Sequence, residues 1–286
     1  MTMRIFIHDV GHGQAIHAFT PSGQVVAIDL GCSDLFSPLK WLRTKVSTID
    51  NLIITHPHGD HIDEILLLFA YGFKVRQLWR PKWLTEQEVR FANQASYAAK
   101  LDRYFEISQN FSVPIEPENF IGNPTVNGGA TISTFASNRC GRSNINNHSG
   151  VVVFEYLGVR VVVPGDNEPT SWRELLKDPT FVSATKGAHV FLASHHGRQS
   201  GYCPELFDEA SGIKKPNLCV ISDGRVQDTD ATARFTYHAS GWCVHSRGGS
   251  PSEDRYCVTT RSDGAIIIEI GNDYNTGNTY LSITKE

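Results

Sequence analysis

Short apolar stretches separated by turns recur along this chain, and their spacing predicts strands with helices inserted between some of them. Arg4 to Val10 and Ala15 to Phe19 read as a strand pair. Pro21-Ser22-Gly23 then turns the chain into the apolar run Val25 to Ile28, which ends at Asp29-Leu30-Gly31. Further strands are predicted over Asn51 to Thr55, Val75 to Trp79, Ala130 to Phe135, Gly150 to Tyr156, Val159 to Val163 and His189 to Ala193. Asn217 to Ser222 and Ala265 to Ile270 close the series. Ser37 to Lys45 reads as a short helix with Ser37 as N-cap and Pro38 at its first position. Ile62 to Tyr71, Glu86 to Tyr104 and Pro169 to Leu176 are the other predicted helices, and the Pro-, Asn- and Gly-rich stretch Ser108 to Gly129 reads as loop or surface hairpin. The pattern fits an α/β protein of two mixed sheets packed together with helices on the outer faces, in one domain over residues 1–286.

Composition narrows the class. The chain has 286 residues, a net charge of −4 and 40% hydrophobic residues, enough for a sizeable core and too apolar for wholesale disorder. A protein coated in basic charge for nucleic acid is disfavoured, although a local basic groove is compatible with that balance. The six cysteines are scattered with no CxxC pair, so they read mostly as free thiols. The longest apolar stretch, Ile65 to Tyr71, is far too short to cross a bilayer, and Met1-Thr2-Met3-Arg4 leads directly into a strand pattern. A cytoplasmic protein without membrane association is the expectation.

Chemistry concentrates in His56-Pro57-His58-Gly59-Asp60-His61, three imidazoles and a carboxylate in six residues directly after the strand pattern ending Leu52-Ile53-Ile54-Thr55. Imidazole nitrogen and carboxylate oxygen are the donors that borderline cations such as zinc prefer. So tight a turn cannot aim all four groups at one ion, but it can divide them between two ions about 3.5–4 Å apart. Two such positions need more ligands. His148 precedes a strand, Asp166 follows one in Pro164-Gly165-Asp166, and His195 and His196 follow another. A sheet scaffold holds side chains at such positions rigidly.

With these residues in place the chain resembles the metallo-β-lactamase superfamily over nearly its whole length. The resemblance implies the αββα sandwich and an ordered ligand series matched by Asp29, the 56–61 turn, His148, Asp166 and His195. It implies His56, His58 and His148 around one ion and Asp60, His61 and His195 around the other, with Asp166 between them. The cofactors implied are two divalent ions, zinc first and manganese as the alternative. Within the superfamily the chain looks like the DNA-processing competence (ComEC-type) branch, on Asp9-Val10-Gly11-His12-Gly13-Gln14-Ala15-Ile16, His195-His196-Gly197 and the segment 259–266. It departs from that branch at His12, His148 and Arg198.

Other roles follow as expectations. Asp29 accepts a hydrogen bond from a ligand histidine and fixes its tautomer, or is a plain turn carboxylate. Asp60 serves catalysis as well as ligation. His196 donates a proton to a leaving oxygen, or is a structural histidine under the turn. His12, between two glycines, lines the mouth of the site or is a satisfied turn residue. Trp79-Arg80-Pro81-Lys82-Trp83 interleaves aromatics with cations, so Arg80 and Lys82 could hold phosphates while the rings stack bases; edge-of-core packing explains the same pattern. Arg198, with Arg139 and Arg142, completes the candidate phosphate contacts. These features point to a dinuclear-metal phosphodiesterase or nuclease acting on nucleic acid or a nucleotide. The alternatives are a small-molecule hydrolase for a lactone, thioester, β-lactam or cyclic nucleotide, and a non-catalytic metal-stabilised module.

Overall fold

A computed structural model of the chain describes residues 1–286 except 114, 121, 209–211, 225–229 and 249–251. The predicted loop Ser108 to Gly129 therefore lies partly outside the described residues. In chain order the strands are β1 (Thr2–Ile7), β2 (Ile16–Phe19), β3 (Val25–Ile28), β4 (Thr48–Ile53), β5 (Lys74–Trp79), β6 (Thr131–Phe135), β7 (Val151–Tyr156) and β8 (Val159–Val163). They continue with β9 (Val190–Leu192), β10 (Leu218–Ile221), β11 (Trp242–Ser246), β12 (Glu253–Arg255), β13 (Cys257–Thr259), β14 (Ile266–Asn272) and β15 (Thr279–Lys285).

Among the described residues these strands form two sheets. The larger runs β12-β11-β15-β14-β1-β2-β3-β4-β5 and the smaller β13-β10-β9-β8-β7-β6. Both are mixed: β1, β2 and β3 pair antiparallel and β3, β4 and β5 parallel, while β6, β7 and β8 pair antiparallel and β8, β9, β10 and β13 parallel. Period-two alternation decides which side chains meet between the sheets. Met3, Ile5 and Ile7 of β1 turn inward and meet Val152, Phe154, Val161 and Val163 from the smaller sheet. Each such residue contributes about 1.5–3 kcal/mol on burial.

Helices cover the outer faces. Leu39 and Leu42 of α1 (Pro38–Arg43), Leu68 of α2 (Leu67–Ala70), Val89 of α3 (Glu86–Phe91) and Leu101 and Ile107 of α4 (Ala98–Asn110) pack on the larger sheet. Trp172 of α5 (Pro169–Leu175), Phe181 of α6 (Pro179–Thr185) and Phe235 of α7 (Ala231–Tyr237) pack on the smaller. The result is the expected αββα layering, two mixed sheets face to face with helices outside. None of the described helices is long and apolar enough to cross a membrane.

Two predicted helices differ, and both differences bear on the site. Ile62 to Tyr71 contains only the short α2. Glu64 is drawn out of helical use: it is buried, its backbone N–H donates to Leu30 O, and its carboxylate accepts from Ser37 Oγ and Leu39 N at the start of α1. Glu86 to Tyr104 is broken between Phe91 and Ala98. The break frees Asn93 to bracket the histidine turn, accepting from Gly59 N at 3.1 Å and donating to Pro57 O at 2.9 Å. The strands β11, β12, β13 and β15 and the helices α6 and α7 have no counterpart in the sequence prediction.

Candidate metal centre

Parallel pairing sets the location. Neighbouring parallel strands end at the same edge of a sheet, and loops leaving those ends are where α/β folds build ligand sites. Asp29 leaves β3, the 56–61 turn leaves β4, Asp166 leaves β8, His195 and His196 leave β9, and Asp223 leaves β10. The two sheets bring these ends face to face.

Asp166 sits at the middle. Its carboxylate lies 3.9 Å from His56 Nε2, 3.3 Å from His61 Nε2, 3.7 Å from His195 Nε2 and 3.5 Å from His196 Nε2. Asp60 Oδ2 lies 3.9 Å from His61 Nε2, 3.5 Å from His196 Nε2 and 3.3 Å from His12 Nε2. His58 joins from the side, its Nδ1 2.9 Å from His56 Nε2. Two groups have donor atoms close enough to share a cation: His56, His61 and Asp166, and His12, Asp60 and His196.

The outer nitrogens show which way the inner ones face. His61 Nδ1 donates to Asp29 Oδ2 at 2.7 Å, and His196 Nδ1 donates to Ser222 O at 2.9 Å. Each ring therefore turns an Nε2 lone pair inward when neutral. His61 Nε2, His196 Nε2 and Asp166 Oδ1 are buried without a hydrogen-bond partner. Stranding such atoms costs about 1–3 kcal/mol each, so their convergence on one point fits a cation that would engage them all. The residues present thus fit a pair of divalent ions.

Electrostatics agree. Burial by itself pushes the His61 imidazole down, but Asp166, Asp29 and Asp60 outweigh it and hold the ring well above the ordinary histidine value. Burial likewise opposes charge on His196, yet Asp166 and Asp60 raise it to about 10. Asp166 is held well below the usual carboxylate range, burial being outweighed by His196 and His61. His56 and His58, where burial dominates, are pushed down and stay neutral, as nitrogen ligands must. The centre attracts positive charge, supplied by protons or by metal.

Asp29 is built in firmly. Besides His61, it accepts from Thr55 N and Thr55 Oγ1, both at 2.7 Å, and from Gln14 Nε2 at 3.2 Å. Thr55 thereby ties the end of β4 to the end of β3.

The adjacent histidines go to different sides, because both adopt left-handed backbone, φ 51° at His195 and 56° at His196. It is His196 that faces Asp60 and Asp166 together, the place the resemblance reserves for His195. His195 instead has Ser200 Oγ at 2.9 Å and Glu168 Oε1 at 3.5 Å on its Nδ1, and accepts from Arg198 Nη1 at 3.3 Å on its Nε2. Arg198 Nη2 reaches His12 Nε2, also at 3.3 Å, so this guanidinium lies at the rim of the cluster.

Four expected residues are not drawn in. His148 belongs to neither close group. Its Nδ1 lies 3.0 Å from both Trp83 Nε1 and Ser137 O, while its Nε2 is buried and unpartnered. Arg80 donates to Ser108 O of α4 and, with Lys82, lines a groove of about 450 Å³ beside Tyr104 and Phe105. The flanking tryptophans are used in packing: Trp79 against the inter-sheet core and Gly150, Trp83 against His148. Arg142 is likewise turned away, donating to Trp83 O.

Several residues of the site carry no local signal. Asn93 and Tyr97 clamp the histidine turn, the latter so close over Gly59 that a β-carbon there would collide with its ring. Glu168, held by Asn144 Nδ2 at 2.8 Å and Asn146 Nδ2 at 3.1 Å, backs His195. Asp223 backs His12 at 3.9 Å. Of these only Glu168, two residues beyond Asp166, sits near a recognisable motif.

No family model and no curated protein matches the sequence. Solved structures are similar at low levels. One, from Thermotoga maritima and classed with the Zn-dependent hydrolases of the metallo-beta-lactamase superfamily, shares 13% identity at a TM-score of 0.42, covering 89% of this chain and 97% of that one. A protein from Parabacteroides distasonis classed as a metal-dependent hydrolase shares 15% at 0.44, covering 79% and 86%. CmlA, a diiron beta-hydroxylase from Streptomyces venezuelae, shares 14% at 0.43, covering 77% and 44%. Likeness at these scores establishes neither family nor activity.

Proposed function

We propose that this protein is a dinuclear-metal hydrolase whose substrate is a phosphate diester of a nucleic acid or nucleotide. In this reading His56, His58 and Asp166 hold one ion, and Asp60, His61 and His196, again with Asp166, hold the other. His148, with its open Nε2, and His195 are the candidates to complete the first set. Such a pair, when bound, supplies Lewis acidity, lowering the pKa of water toward neutrality and drawing charge off a phosphoryl oxygen.

The chain's own residues do the rest. Asp29 keeps the His61 proton on Nδ1, and Ser222 O does the same for His196. Asn93 holds the 56–61 turn closed from outside. Placing His196 among the ligands takes it out of the proton-donor role read from the sequence.

The observation that favours phosphate is Arg198. Its two terminal nitrogens lean, at 3.3 Å, on ring nitrogens of His195 and His12 at the rim of the Asp60–Asp166 cluster. A phosphate oxygen is a stronger acceptor than either ring, so an entering diester takes those donors over and is held against the centre. Arg80 and Lys82, facing another groove, are assigned no part in this.

A substrate panel tests the reading. Purified protein with Zn²⁺ or Mn²⁺ is assayed on single-stranded DNA, cyclic nucleotides and bis-p-nitrophenyl phosphate, against nitrocefin and lactones, with and without chelator. Chelator-sensitive turnover of the phosphate esters is the expected result. Turnover of the carbonyl substrates alone would refute it.

A further inference from the structure

We propose that His12 is an additional ligand of the second metal position, a role that the sequence pattern did not assign to it. The inference rests on the dinuclear reading above and extends its ligand set.

Three observations carry it. The first is reach: His12 Nε2 lies 3.3 Å from Asp60 Oδ2, its ring centroid is 5.0 Å from that of His196, and its donor atom groups with Asp60 and His196 at cation-sharing distance. The second is orientation. His61 and His12 both turn Nε2 toward the same Asp60 oxygen, at 3.9 and 3.3 Å; His61 Nδ1 is hydrogen-bonded to Asp29, whereas His12 Nδ1 is buried without a hydrogen-bond partner and has the Asp223 carboxylate 3.9 Å away. Asp223 is too far for a direct hydrogen bond, but its charge favours a proton on that outer nitrogen, which leaves the inner lone pair for a metal. The third is preorganisation. Gly13 takes φ +124° and presses on the backbone of Asp60, where a β-carbon would overlap the Asp60 carbonyl. On the other side Gly224 packs so closely on Gly11 that a β-carbon would overlap its backbone. These glycines hold the loop between the 56–61 turn and the end of β10, so His12 is placed relative to Asp60 by backbone contact.

His196 Nε2 and His61 Nε2, both buried and unpartnered, lie 3.5 and 3.9 Å from that same Asp60 oxygen independently of His12. Arg198 Nη2 approaches His12 Nε2 as well, but a divalent cation beside Asp60 repels the guanidinium, and its contact to the ring is long at 3.3 Å. With His12 included, the second position offers three imidazoles and two carboxylates, a set that favours a borderline cation such as Zn²⁺ over Mg²⁺.

The test is metal binding by the full chain. Zn²⁺ affinity and stoichiometry are measured by competition with a chromophoric chelator, and Co²⁺-loaded protein is followed by its visible absorption. Variants are His12→Ala, His12→Gln, which keeps a polar side chain in the loop, and Asp223→Asn. Wild type is expected to bind two ions. Both His12 variants should lose about 10- to 100-fold affinity for one ion only and change the Co²⁺ spectrum, with Asp223→Asn shifting affinity the same way but less. Unchanged thermal unfolding in chelator shows that the variants fold. Two ions bound by both His12 variants with wild-type affinity and spectrum would overturn the His12 assignment and leave the dinuclear reading standing. A wild type that binds no metal overturns both.

Discussion

Replacing Asp29 by Asn is the sharpest probe of how the centre is organised. The carboxylate is fully buried and accepts from four donors: Thr55 N, Thr55 Oγ1, Gln14 Nε2 and His61 Nδ1. Asn fits the same volume but offers one acceptor oxygen. If that oxygen stays with Thr55 N, the amide NH₂ faces the other three donors. Thr55 can rotate its hydroxyl to accept. His61 can accept on Nδ1 only by moving its proton to Nε2, the nitrogen that faces Asp60 and Asp166, and a protonated nitrogen cannot ligate. Loss of an orienting carboxylate costs about 10- to 100-fold in metal affinity, or about 1.4–2.7 kcal/mol. The metal-depleted protein loses one partner of a buried charge pair and should be destabilised by about 3–5 kcal/mol. Chelator competition with Zn²⁺ reads the first effect and urea unfolding in excess chelator the second. An Asp29→Asn variant that binds both ions with wild-type affinity would show that His61 keeps its tautomer without the carboxylate, and the proposed division of labour would fail.

Three other outcomes are expected. In chelator, stability should fall as pH rises from about 8 to 10. The folded-state pKa of His196, about 10, exceeds the ordinary value of 6.5, so its contribution is complete below about pH 6.5 and is lost as pH climbs through 10; buried histidines held below the ordinary value, His56 and His58 among them, act oppositely only up to about pH 7, and a thermal-unfolding series from pH 8 to 10 that stays flat or rises contradicts the expectation. Asn93→Ala should cost about 1–3 kcal/mol, since it strands Gly59 N and Pro57 O, and should weaken metal binding through a looser 56–61 turn, measured by unfolding and by chelator competition. Arg198→Ala should raise KM for phosphate diesters about tenfold or more while both ions remain bound, and equal kinetics for the variant and wild type would remove Arg198 from substrate binding.

Local sequence carried the layered architecture and the heart of the site, because both are written in contiguous residues. Apolar runs bounded by turn residues placed β1, β2 and β3 to within a few residues, and the 56–61 turn packs four donors behind one strand, so neither needed long-range information. Strands toward one end of the larger sheet, such as β11 and β15, are half exposed and take their conformation from neighbours, which a local pattern does not record. The broken helix at Asn93 has the same cause: tertiary hydrogen bonds to the 56–61 turn outweigh the helical propensity of Glu86 to Tyr104. Only the folded chain could separate His195 from His196, since the two successive left-handed residues leave no sequence signature and the anchors Ser222 and Glu168 are distant in sequence. The absence of His148 from both close donor groups, and the closeness of His12 to Asp60, are likewise set by where two sheets end against each other. Spacing along a strand says which way a side chain points; it says nothing about what a second sheet, folded from distant residues, will place in front of it.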